Sequence, residues 1–104
     1  MDQDTIEVPD LQLRGSFTCH AAPVQAEGTV AQHAFYFRAR HEAWSFAVSL
    51  SPNVDPADID SPDQGFYREA SYGFSEFAAS YMPLEEARQI VIDCASDFLR
   101  GRTA

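Results

Sequence analysis

The sequence predicts an α+β fold: an antiparallel β-meander of four to five strands with one C-terminal α-helix packed on one face. Three observations carry that expectation. Several short runs between positions 11 and 50 alternate apolar and polar residues with a period of two. Polar gaps of turn length separate those runs. The stretch "PLEEARQIVIDCASDFLRG", from position 83, then changes to helical spacing.

The first ten residues, "MDQDTIEVPD", are acidic and close on Pro9. They read as a flexible arm (1–10), ahead of a single α+β domain over 11–104. The first strand follows in "LQLRGSFTC". Leu11, Leu13, Gly15, Phe17 and Cys19 fall on one face, and Gln12, Arg14, Ser16 and Thr18 on the other. "VQAEGTV", "AFYFRAR" and "AWSFAVSL" supply three more strands, with breaks near Gln32 and His33 and at His41 and Glu42. A register that keeps apolar residues together pairs Val30 with Phe35, Gly28 with Phe37 and Ala26 with Ala39. On the next strand it pairs Ala39 with Trp44, Phe37 with Phe46 and Phe35 with Val48. The Phe37 ring would then shield the bare backbone of Gly28, and Glu27 would face Arg38 across the strands.

Residues 52–65 carry three prolines and four aspartates and read as an acidic surface loop, with one helical turn near Ala57 to Ile59. "FYREASYGF" is the candidate fifth strand, weakened by Gly73, and "SEFAASYM" fits a short helix or an extended lead-in equally. In the final segment Pro83 suits the first helical position. Glu85 and Glu86 complement the positive end of the helix dipole. Leu84, Ala87, Ile90, Val91, Cys94, Phe98 and Leu99 form one apolar stripe. Arg100 and Gly101 make a basic last turn and a stop. The stripe should lie against Phe35, Phe37, Trp44 and Phe46.

Charge is the compositional anomaly. Sixteen Asp and Glu face seven basic residues, all Arg, for a formal net charge of -9. Such a field repels nucleic acid and anionic membranes and favours basic partners. No stretch is long and apolar enough for a transmembrane helix, and the N-terminus has no apolar core of a secretory signal. The expected location is therefore cytoplasmic. Cys19 and Cys94 lie far apart, each in an apolar pattern, and read as two buried thiols.

Motifs for chemistry are sparse. Cys19 and His20 are strand neighbours pointing to opposite faces, so they do not form a dyad. His33 and His41 fall in turns at opposite ends of a strand and cannot share a metal ion. Asp55, Asp58, Asp60 and Asp63 lack the order and the distal Glu of a calcium loop. No catalytic site, metal or cofactor is expected.

The outer sheet face differs. Tyr36, Arg38 and Arg40 are residue types found at interface hot spots. With Asp55, Asp58, Asp60, Asp63, Glu85 and Glu86 they make up the candidate interaction surface. The expected function is a small acidic, non-enzymatic protein-binding module of inhibitor, immunity or antitoxin type, with a homodimer through the outer face as another use of the same surface. The alternative is an acidic nucleic-acid mimic, such as a phage anti-CRISPR, which would offer carboxylates to a partner's basic nucleic-acid-binding groove. A small-ligand binder or an enzyme with a scattered site forms a third class.

Overall fold

Residues 4–73 and 75–103 are described by a computed structural model of the chain. Six strands follow one another across a single antiparallel sheet in sequence order. They are β1 (Thr5–Val8), β2 (Leu13–His20), β3 (Val24–Val30), β4 (His33–Arg40), β5 (Ala43–Val48) and β6 (Phe66–Ser71). One helix, α1 (Leu84–Thr103), closes the described chain. The α+β meander is therefore as the alternation predicts, with one more strand.

The sixth strand comes from the segment expected to be a flexible arm. Ile6 is fully buried, and Thr5 to Val8 pair with Ser16 to Leu13. The pattern Ile6, Val8 around Glu7 is too short to register as alternation by itself. What holds it is the free edge of β2, extended by the Phe17 N–H donating to the Asp4 carbonyl at 2.7 Å. Positions 1–3 of that arm lie outside the described residues, as does Phe74 at the end of the predicted fifth strand. That strand, β6, stops at Ser71.

The inner face carries the core. Phe35, Phe37, Phe46, Leu13, Val24, Val30 and Val48 are buried beneath α1, which contributes Ala87, Val91, Cys94, Ala95 and Phe98. The rings form a chain of contacts: Phe35 stacks on Phe46 at 5.5 Å, Phe46 meets Phe66 edge-on at 6.2 Å, and Phe66 meets Phe98 at 5.3 Å. Such geometries follow the ring quadrupoles. Trp44 packs on Phe37 at the margin of this cluster, half-buried. The helical stripe was legible, with Ala95 as an addition.

Two helix-end expectations shift. Pro83 stands one residue before α1, where its carbonyl accepts from the N–H groups of Glu86 and Ala87. Gly101 lies inside the helix rather than ending it. It has a helical backbone and open space around the position of a Cβ, so nothing there enforces a stop.

The register between β4 and β5 is the predicted one. That between β3 and β4 differs: Gly28 faces Phe35, Ala26 faces Phe37 and Val30 faces His33. The cause is the turn. Ala31 and Gln32 form a two-residue connection with φ of 50° and 71°, the left-handed pair of a tight hairpin. Neither is Gly or Asn, so the turn centre carries no signal, and the pairing expected from alternation sets it one residue late. His33 consequently starts β4 instead of lying in the turn. The slip moves pairings by two positions and leaves every side chain on its expected face.

Segment 75–82 straps one end of the sheet. It includes the 3-10 turn Ala79–Tyr81. Ala79 N–H donates to the His41 carbonyl at 2.8 Å, His41 N–H donates to Ser80 Oγ at 2.8 Å, and Ala22 N–H donates to the Ser80 carbonyl at 2.7 Å. These bonds dock both neighbouring hairpin turns and deliver the chain to the start of α1.

Candidate functional site

The outer face is built by the residues that alternate with the core. Opposed pairs run across it: Ser16 with Glu27, Glu27 with Tyr36, Tyr36 with Ala47 and Ala47 with Tyr67. The next row holds Gln25, Arg38, Ser45 and Glu69. Arg38 therefore stands opposite Gln25, and the expected Glu27–Arg38 pair is replaced by a diagonal neighbour. At the sheet margin Arg14 lies across from Glu7, with Nε 3.7 Å from Oε2.

The acidic loop is not a detached surface feature. It folds back so that its 3-10 turn, Pro56–Asp58, packs on β4 and β5. Ile59 is 5% exposed and Ala47, an outer-face residue, is 2% exposed. The loop thus roofs part of the face, and two clefts open on it, one lined by Tyr36 and the other by Arg38. Asp55 fixes the turn by accepting from the Ala57 N–H at 2.9 Å, a local cap.

One cleft, of about 440 Å³, lies against the loop and is lined by Ser16, Thr18, Glu27, Ala34, Tyr36 and Asp55, among others. The other, of about 280 Å³, lies toward the β4–β5 turn and includes Arg38, Arg40, His41, Glu42, Tyr67 and Glu69. The tyrosines on this face feel their surroundings. Partial burial pushes the Tyr36 phenol up; Arg38 opposes that shift and Glu27 adds to it. Tyr67 is also raised, first by burial and then by its hydrogen bond to Glu69, at 2.8 Å, with Asp60 adding to the effect.

The predicted surface residues fall into three groups. Tyr36, Arg38 and Arg40 share the outer face, and Asp55 joins Tyr36 in one cleft. Asp60 acts on Tyr67, and exposed Asp58 belongs to the 3-10 turn itself. Asp63 lies elsewhere, in a cleft that includes Phe98 and Gly101 near the end of α1. Glu85 and Glu86 are in the first turn of α1 on the inner layer, where Glu86 accepts from the Tyr72 hydroxyl. Along a helix rising about 1.5 Å per residue, Glu86 and Gly101 are about 20 Å apart. Glu27, Tyr67 and Glu69 were not in the predicted set, although Glu27 was already assigned to the outer face by alternation.

Cys19 departs from expectation. A register shift between Phe17 and Cys19 sets Cys19 opposite Gln25, an outer-face residue, and leaves it half-buried. Cys94 is buried, and burial, its main cause, pushes its thiol up to about 12. Among the described residues no three His, Cys, Asp or Glu side chains converge to hold a metal ion. Nor is any described helix long and apolar enough to cross a membrane. No protein-family model matches the chain, and no curated protein or solved structure matches it.

Proposed function

We propose that the protein is a small acidic, non-enzymatic binding module that acts stoichiometrically on a protein partner, in the manner of an inhibitor, immunity protein or antitoxin. The supporting observation is the outer face itself. Tyr36, Arg38, Arg40 and Tyr67 stand on the ordered strands of a six-stranded sheet, walled on one side by an acidic loop packed onto it. Arginine and tyrosine concentrate binding energy at interfaces. Their mounting on strands already ordered by a full core reduces the entropy lost on association. The opposite face is already filled by α1. The outer face is thus the broad surface left for a partner, and its two clefts are shaped to take protruding side chains.

Tagged full-length protein, incubated with lysate of its native host, should retain one defined protein at one-to-one stoichiometry by native mass spectrometry. Substituting Arg38→Glu and Arg40→Glu together should abolish retention while leaving the circular dichroism spectrum unchanged. Recovery of nothing at low salt would remove the reading. The mimic alternative draws on carboxylates of the loop and of α1, which occupy different layers of the molecule. It would be favoured by binding that competes with nucleic acid and weakens steeply with salt.

A further inference from the structure

The cleft beneath the acidic loop has the chemistry of a receptor for one kind of side chain. Two carboxylates, Glu27 on β3 and Asp55 on the loop, line it, together with the hydroxyls of Ser16 and Thr18, the Tyr36 ring and an apolar wall of Ala34 and Pro56. No Arg or His is among its lining residues. From this combination we propose that the cleft receives a basic side chain, a guanidinium or ammonium group on its aliphatic stem, projecting from the protein partner. The inference rests on the binding role proposed above and names the partner's chemistry at this point of contact.

Each component matches one part of such a group. Carboxylates and hydroxyl oxygens accept hydrogen bonds from a cationic head that has only donors to offer. An aromatic face adds attraction for a cation within about 6 Å of its centroid. The apolar wall suits the methylene stem, which long basic side chains bury while their heads stay polar. A bare metal ion fits poorly, since a space of about 440 Å³ with an apolar side is far larger than an ion's coordination shell. Asp55 is already oriented, because its Oδ1 accepts from Ala57, and a carboxylate has a second oxygen for a ligand. Glu27 stands directly across from Tyr36 on the neighbouring strand, which sets its carboxylate beside the ring. Charge complementarity also holds at the level of the chain, whose net charge of -9 draws cationic segments.

The test uses the uniformly ¹⁵N-labelled full chain and two blocked tripeptides, Gly-Arg-Gly and the neutral isostere Gly-citrulline-Gly. Amide shifts followed by NMR should move with the arginine peptide at positions 16, 18, 27, 36 and 55, and not with the citrulline peptide. Glu27→Gln and Asp55→Asn should each weaken that binding roughly two- to fivefold, and together on the order of tenfold. Asn is itself a good helix cap, so the second variant keeps its turn. Equal response to both peptides, shifts centred on Glu85 and Glu86, or no effect of the two substitutions would overturn the proposal. Concentration-dependent dimerisation, blocked by the arginine peptide, would also overturn it by making a second copy the occupant. Failure here with a partner still captured through Arg38 and Arg40 removes only the cleft assignment. Arginine binding at the cleft with no partner in the host removes only the broader binding role.

Discussion

Gly28 and Gly15 face each other across β2 and β3. A Cβ on Gly28 would run into the Arg14 carbonyl oxygen and the Gly15 Cα, both backbone atoms that have nowhere to go. Gly28→Ala should therefore cost about 3 kcal/mol or more, read as a lowered urea midpoint. At Cys94 the consequence is pH dependence. Its folded thiol is raised from 9.0 to about 12, so the unfolded chain loses its proton first on alkalisation. The stability present below pH 9 is lost as the pH rises toward about 12. Cys94→Ala should flatten that part of the alkaline decline relative to wild type, a comparison that cancels the tyrosines titrating in the same range. Residue-level reading of the sequence succeeded where period two fixes a face, as for Tyr36 against Phe37. It failed at Cys19 because a single-residue irregularity in β2 reverses the face, and nothing in "SFTCH" announces it. The Gly28 partner was missed for a similar reason: Ala31 and Gln32 adopt left-handed backbone angles without the residues that usually mark them.

Among the elements, β1 and α1 differ most in how visible they were. The helix has a stripe of seven apolar positions, a proline before it and glutamates in its first turn, each an independent local signal. For β1 the evidence is tertiary: a single fully buried side chain, Ile6, seated on a sheet that must already exist. Ile6→Ala should cost roughly 2–5 kcal/mol, whereas a flexible arm would tolerate the change without cost. Chemical denaturation separates the two. At the other end, Gly101→Ala should raise stability by about 0.5 kcal/mol, because the position is helical and its missing Cβ meets no neighbour. A loss of stability there would mean that the glycine ends the helix after all. The loop over 52–65 was recognised as acidic and proline-rich, yet its fold-back onto the sheet was not. The apolar residue that anchors it, Ile59, is isolated among polar neighbours and has no periodicity to report.

Across the whole molecule, the two faces of the sheet have separate tasks. One is closed by α1 and the ring contacts from Phe35 to Phe98, and it supplies the stability. The other carries the charge pattern, with Glu27 and Asp55 lining one cleft and Arg38 and Arg40 lining the next beside Glu42 and Glu69. A partner fitted to this face should present basic groups to the first cleft and acidic groups to Arg38 and Arg40 in particular. Its association rate should fall with added salt, while dissociation changes less. The decisive measurement is calorimetric titration of the captured partner into wild type, into Arg38→Glu/Arg40→Glu, and into a charge-matched control on the helix, Arg88→Glu/Arg100→Glu. Binding through the outer face predicts at least a roughly tenfold loss of affinity for the first variant, about 1.4 kcal/mol, and little change for the control. Equal affinities for all three, with the fold intact, would show that the arginines only meet water and would contradict the proposed role of the outer face.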